Sequence, residues 1–505
     1  MWSRSHFSRV VERTGLAWLG LLLALGGGSV GAAESVLRVG LSAAAHSLDP
    51  RFATDAASAR LCRLLFRAPA DFDARFLPVP ALMRWETLSP THYRFTLQGD
   101  PSFSDGRPLR AADVAQTYRS VLDPATASPH RGALLNVAAI TEVDDRTLDF
   151  KLQRADPLFP GLLVIGVLPA AEALTPASPR QPTTSGAFEL AAPPAPKLLR
   201  LRRRADGQRV DFAVVEHETT RVLKLARGEL DLLQGNLAPE NVAWLAARPG
   251  VTVQREAGTT LSYLGFNLAE GPTRDLRVRQ AVAFALDRDA IARHVFKGDV
   301  RLATALLVPT HWAGAPTVPP PQYDPGRARK LLAELGYGPD RPLRMTFKTS
   351  SDAMRLRLAT IYQAQLAEVG IALEVQSFDW GTFYADIRRG QFTMYGLSWV
   401  GLQLPDIFRY AFHSRSLPPA GANRGGYASP AVDRLLDAAD AATDLPTRAT
   451  LYRAVQAELA RDLPMIALWF EDVVVVKGPR LRGYQTNASG DYDGLARVQA
   501  DFATR

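Results

Sequence analysis

Between Thr260 and Lys297 the spacing of apolar positions changes period, and the change predicts a strand followed by a helix. Leu261, Tyr263 and Gly265 fall on one side of an extended chain, and Ser262, Leu264 and Phe266 on the other. Gly271-Pro272 interrupts the run. Val278, Ala281, Val282, Ala285 and Leu286 then recur at the spacing of one apolar helix face. Asp275 is placed to accept from the first free N–H groups of that helix. Asp287 is placed to cap a second, short helix that buries Ile291 and Val295.

The same alternation of periods recurs along the chain. Val36–Leu41 predicts a first strand, and Leu61, Leu64, Leu65 and Phe66 a helix. Tyr93–Leu97 alternates as a strand. Val114, Tyr118, Val121 and Leu122 form a helix face, and Asp144-Asp145 joins two further strands. Asp324 caps a helix that starts at Pro325 and ends at Gly336. Leu343/Met345/Phe347, a helix through Leu358, Tyr362 and Leu366, and Ile371/Leu373/Val375 make a parallel strand–helix–strand crossover. A helix at Trp380–Arg389, a strand at Phe392–Trp399, a helix from Ser429-Pro430 and another through Leu451, Val455 and Leu459 follow. Met465–Val476 reads as a closing pair of strands. The pattern is that of an α/β protein without internal repeats.

With 505 residues the chain is long enough for two or three domains. Its 47% apolar and 22% charged residues are those of an ordinary globular protein. One cysteine, Cys62, allows no internal disulfide, and the eight histidines are scattered, so neither points to a metal centre. The net charge is +8, and +6 without residues 1–33, where Arg4, Arg9 and Arg13 oppose Glu12. The basic residues are dispersed, which argues against nucleic acid as a partner. The one dense run, Arg200–Arg204, alternates before an Asp206-Gly207 turn and predicts an exposed hairpin strand. Residues 1–33 have the order of a cleaved export signal: arginines, an apolar run at Leu16–Leu25, then small residues through Ala33. Leu158–Ala173 is apolar but broken by Pro160 and Pro169, so it predicts no membrane span.

Phe266-Asn267, then Arg277-Val278-Arg279-Gln280-Ala281 and Ala285-Leu286-Asp287-Arg288, resemble the signature of large extracytoplasmic solute-binding proteins of peptide-type ABC importers. Further ordered segments carry the same resemblance. They are Ser47-Leu48-Asp49-Pro50, Pro78–Leu82 with Trp85, Phe103/Asp105-Gly106/Leu109/Asp113-Val114, Ala127-Ser128-Pro129-His130, and the crossing strand Thr183–Phe188. Phe66-Arg67-Ala68-Pro69 and Ala187 depart from the family pattern. The resemblance implies a periplasmic binding protein-like fold with two large lobes, an inserted subdomain and a hinge. Lobe I would comprise 34–70, 181–268 and 479–505, the inserted lobe II 71–180, and lobe III 269–478. It also implies a periplasmic, monomeric receptor. That receptor would pass a small peptide or related solute to an ABC importer permease in the inner membrane, with no cofactor.

No catalytic motif is present: no Gly-x-Ser-x-Gly, no His-Glu-x-x-His and no phosphate-binding Gly-rich loop. An exported hydrolase remains the alternative from another class. An oligosaccharide or metal chelate remains the alternative ligand. The family assigns pocket positions to Trp399, Trp380, His130 and Arg388, and places Asp55 near a family glutamate. His413 is a lone histidine and reads as structural. The aspartate that pairs with a peptide amine in relatives is Leu402 here, and the arginine three residues before the tryptophan is Gly396. Asp406 is the nearest replacement anion. The two losses imply a ligand that does not rely on a free α-amine, with Leu402 favouring an apolar or blocked group.

Overall fold

Two long antiparallel strands, Thr252–Phe266 and Met465–Lys477, run through the middle of the molecule. The computed structural model describes residues 36–175, 181–319 and 321–500. The expected export signal at 1–33 lies outside them. On one side of the long pair lie Met394–Trp399, Leu343–Ser350 and Ile371–Phe378; on the other lie Leu232–Gln234, Val36–Leu41, Arg209–Val214, Leu198–Arg203 and Phe188–Leu190. Val300–Leu302 adds to Met465–Lys477, giving one eleven-stranded sheet. Leu343–Ser350 and Ile371–Phe378 are parallel across the helix Ala353–Ala367, the expected crossover.

Met465–Lys477 is one strand and not the expected pair. Glu471-Asp472 looks like a turn in sequence, but Glu471 pairs with Thr260 and Val300, and Asp472 pairs with Arg301. The acidic dipeptide is thus held within an extended run. Where the long strands cross, their register shifts between Glu256 and Thr260. Gly258 sits in this bulge, and a Cβ there would lie 2.1 Å from the Glu471 carbonyl oxygen. Only glycine permits that approach. Leu261 through Phe266 are buried on both faces, as in a central strand.

The segment between the first two pieces of sheet forms its own four-stranded antiparallel sheet: Met83–Ser89, His92–Leu97, Thr147–Leu152, Val137–Glu142. Helix Ala111–Leu122 covers it through Val114, Tyr118 and Val121, which meet Phe95, Phe150 and Phe159. A second core gathers Leu37, Val39, Leu65, Phe188, Phe212 and Tyr484. A third gathers Val278, Val282, Phe347, Tyr362 and Trp469 around the crossover, and a fourth joins Leu261, Phe408, Tyr452 and Val455.

Side-chain caps start the helices. Asp275 accepts from the Arg277 N–H at 2.9 Å, Asp287 from Ala290 at 2.8 Å, Asp324 from Arg327 at 2.8 Å and Asp379 from Thr382 at 3.1 Å. Each cap contributes roughly 1 kcal/mol. The arginines of the central signature serve the fold. Arg279 donates to the Thr273, Arg274 and Asp462 carbonyls, and Arg288 to those of Ala303, Ala467 and Pro321. Burial lowers the pKa of both.

Two further expectations change. Leu198–Arg203 does pair as a hairpin, but Leu199, Leu201 and Arg203 are buried. Arg203 is held by Asp206 and by the Leu495 and Val498 carbonyls, so the run is not an exposed strand. The crossing segment becomes strand only at Phe188–Leu190; before it, the N–H groups of Ser185 and Gly186 both donate to the Leu65 carbonyl. Leu158–Ala173 folds as two short turns. Among the described residues no helix is long and apolar enough to cross a membrane.

Candidate functional site

The register of the central strands places Trp399 opposite Leu261 and Leu397 opposite Tyr263, on one face of the sheet. The Trp399 indole stacks on the Tyr263 ring, 5.8 Å between centroids and 10° between planes, and meets the edge of Tyr410 at 6.5 Å. Helix Trp380–Arg388 brings a second pair: Trp380 stacks on Tyr384 at 5.4 Å and 10°. The i, i+4 spacing of a helix puts those two rings in one stack. Arg424, in the loop before helix Pro430–Ala441, joins the two stacks. Its guanidinium lies 4.9 Å from the Trp399 ring and 5.5 Å from that of Tyr384, and donates to the Tyr263 hydroxyl at 3.1 Å and the Tyr384 hydroxyl at 3.3 Å. A small, partly open pocket lies here, lined by Tyr263, Tyr395, Trp399, Asn423, Arg424 and Tyr427 among others. A second pocket, lined by Leu306, Leu459 and Ile466 with Thr304 and Gln456, borders no charged side chain.

Tyr410 shows how the charged groups converge. Burial raises its pKa first; Tyr384 and Asp406 raise it further, while Arg424 and Arg388 oppose them. Trp399 meets the Tyr410 ring, Arg388 and Asp406 lie near enough to act on its phenol, and Trp380 is linked to it only through Tyr384. Arg388 is exposed at the end of its helix and makes no ion pair among the described residues. Asp406 begins helix Asp406–Phe412. It is reached by water yet surrounded by protein, and this environment, with Asp156 and then Asp440 nearby, raises its carboxyl pKa to about 7. Its accessibility to water limits the size of that shift. Asp156 comes from the inserted segment and pairs with Arg448 of helix Leu445–Asp462 at 3.3 Å.

His130 stands at a seam. Its loop is tied to the first sheet through Ser128, whose hydroxyl donates to the Arg51 carbonyl at 2.7 Å. Burial lowers the His130 pKa, and a hydrogen bond to the Ala53 backbone opposes this. Two residues on, a Cβ at Gly132 would lie 2.8 Å from the Ala420 carbonyl and 3.6 Å from the Tyr410 ring. Asp55 caps helix Ala56–Leu65: it accepts from the Ser58 N–H at 2.9 Å and from the Ser58 hydroxyl. His413 is buried, accepts from the Arg415 N–H at 3.1 Å and lies beside Asp433 and Asp437, a loop-bracing role.

Leu402 does not present an apolar wall to this cavity. It is buried in the core with Phe76, Leu261, Ile407 and Phe408. Gly396 faces the opposite side of the sheet, where a Cβ would lie 2.9 Å from Phe347. An arginine at this position would be driven into a packed core. Tyr384 was recoverable from its spacing to Trp380, and Tyr263 from strand alternation. Arg424 sits in an aperiodic loop between Asn423 and Gly425-Gly426, and no sequence period marks it.

Residues 77–416 match the family model described as bacterial extracellular solute-binding proteins, family 5 Middle. Among similar proteins are the glutathione-binding protein GsiB of Shigella boydii, 25% identical over 94% of this chain and 97% of its own length, and the periplasmic oligopeptide-binding protein OppA of Salmonella typhimurium, 25% identical over 87% and 88%. The dipeptide-binding protein of Pseudoalteromonas sp. SM9913, solved with Met-Leu, superposes with a TM-score of 0.83 at 22% identity over 92% of this chain and all of that one. The family's members are binding proteins, and the two-lobed fold is theirs. The chain belongs to family 5 of the bacterial extracellular solute-binding proteins.

Proposed function

We propose that this protein captures a small peptide or peptide-like solute in the cleft around Trp399, closes over it, and hands it unchanged to an ABC importer permease in the inner membrane. The observation that carries the reading is the ring-lined cavity beside the two long strands. Its walls come from elements far apart in sequence, joined by a pair of strands that can flex as a hinge. In this reading lobe I is 34–70, 181–268 and 479–505, lobe II is 71–180 and lobe III is 269–478. Trp399 and Trp380 cover apolar parts of the solute. Arg388 and Asp406 meet its charged groups, and His130 closes the seam from lobe II. Asp55 acts through the fold of its helix start. The protein works as a monomer in the periplasm after loss of residues 1–33, and its ligand contacts select the closed form. It performs no reaction.

The test is mass spectrometry of small molecules carried through native purification, followed by scattering with and without the recovered solute. A peptide-like solute returned intact, with a more compact bound form, is expected. A solute returned hydrolysed, or no compaction, would overturn the reading.

A further inference from the structure

Several buried arginines near the lobe cores have an anion or a set of carbonyls to themselves. Arg51 has Asp49 and the Ala173 carbonyl; Arg203 has Asp206; Arg448 has Asp156; Arg279 and Arg288 are ringed by backbone oxygens. Arg424 is different. Its side chain has two phenol oxygens and two aromatic faces, and no carboxylate within ion-pair distance among the described residues. A guanidinium offers five N–H donors. Two are used here, by neutral acceptors, and three are left. Arg424 is half-buried, so its remaining N–H groups can be reached by a solute entering the pocket.

Apart from Asp406, which bears on Tyr410 from helix Asp406–Phe412, the surroundings add donors. The Trp399 indole N–H is buried without a partner. The Tyr384 hydroxyl accepts from Arg424 and so keeps its own proton to donate. The side chain of Arg388, with no ion pair among the described residues, adds a second positive charge beside Tyr410. A partly open pocket beside Trp399 is lined by Trp399 and Arg424 themselves, with Tyr263, Tyr395 and Asn423. A planar fork with free N–H groups, flanked by an indole N–H and a phenol O–H, is built for a planar anion with several lone pairs.

We infer that Arg424 is the anion-binding residue of this cleft, and that the solute carries a carboxylate which seats on its guanidinium between Trp399 and Tyr384. This deepens the reading of the cleft as a solute site and rests on it. It also fits the absence of an arginine at position 396: the charge that orients the solute comes from the loop before Pro430–Ala441, not from the strand. The two stacked rings hold the guanidinium plane, so the fork is oriented before the solute arrives.

The probe is a mixture of synthetic di- and tripeptides, each as the free acid and as the C-terminal amide, some with a glutamate side chain, together with sugar acids. It is presented to the native protein and to Arg424→Gln, and the bound fraction is read by mass spectrometry. The native protein is expected to favour acids over matched amides by about tenfold to a hundredfold, the range of a charge-assisted contact. Arg424→Gln is expected to erase that preference, and Arg424→Lys, which keeps the charge but loses the fork, to retain part of it. The acid-to-amide comparison on native protein needs no variant, so a failure of Arg424→Gln to fold leaves the inference open to refutation. Amidated peptides that bind as well as their acids overturn it while leaving peptide capture standing. Preference for the glutamate-bearing amides supports it and moves the carboxylate to a side chain. Capture of sugar acids alone supports it and overturns the peptide reading. Retention of nothing counts against both.

Discussion

Trp399 touches three groups of the candidate site: Tyr263 on one face, the edge of Tyr410, and the Arg424 guanidinium. Trp399→Ala is expected to weaken binding of the recovered solute by roughly 1–3 kcal/mol, as loss of a buried aromatic platform does. Trp399→Phe is expected to lose less. Calorimetry decides, and unchanged affinity with a lowered melting temperature would assign the indole to packing alone. Asp406 makes a different prediction. Its carboxyl holds a proton up to about pH 7 in the folded chain, against the usual 3.8, because protein surrounds it and Asp156 and Asp440 face it. Arg409 and Arg448 oppose this through Asp440 and Asp156. A raised folded pKa contributes stability below 3.8 that is lost as pH rises through about 7. The native protein should therefore lose melting temperature between about pH 4 and pH 7, and Asp406→Asn should lose less over that range and melt higher at pH 8. Parallel melting curves for the two would refute the assignment. At this scale both tryptophans were named through the resemblance to the family and not from any local period. Arg424 was not named, because the rings around this loop residue are brought to it by other elements.

Elements were legible where local chemistry announces them. Capping aspartates at 275, 287 and 324 started helices where the spacing of apolar residues required, and the parallel crossover at 343–378 followed from its two periods. Elements whose form depends on a distant partner were not legible. Met465–Lys477 looked like two strands because nothing local shows that its acidic dipeptide lies opposite Thr260, Val300 and Arg301. Leu402 and Gly396 were open to the same error: read as a pocket, both belong to packed interiors. The crossing of the two long strands carries its own prediction. A Cβ at position 258 would meet the Glu471 carbonyl at 2.1 Å, so Gly258→Ala must part the strands or remove the bulge. The expected cost is about 1–3 kcal/mol, the scale of overpacking. Urea unfolding measures it. A neutral result would mean that the crossing is not tight in solution.

At the scale of the whole molecule the question is what holds the inserted segment against the far end of the chain. The Arg448–Asp156 pair joins residues 292 apart, with the arginine side chain 4% exposed and the aspartate 20%. Around it lie Asp406 and Asp440, whose carboxyls Asp156 pushes upward, and Arg409, bound to Asp440. Arg448 is thus the cation that lets Asp156 approach two other carboxylates. Arg448→Met removes it while keeping most of the volume, and the approach then sets three acids against one another. Breaking a buried pair costs about 3–5 kcal/mol, and the water that reaches Asp156 puts this case at or below the lower end. If the contact belongs to the closed form, that cost falls on closure, and the apparent affinity drops by the fraction of closed molecules lost. A loss of about 2 kcal/mol corresponds to roughly thirtyfold. Arg448→Met should bind the recovered solute more weakly yet reach the same compact scattering profile at saturation. Adding Asp156→Asn should restore part of the affinity, since removing both charges leaves no orphan. Affinity that falls further in the double variant, or an unchanged affinity in Arg448→Met, would show that the pair braces the fold without governing closure.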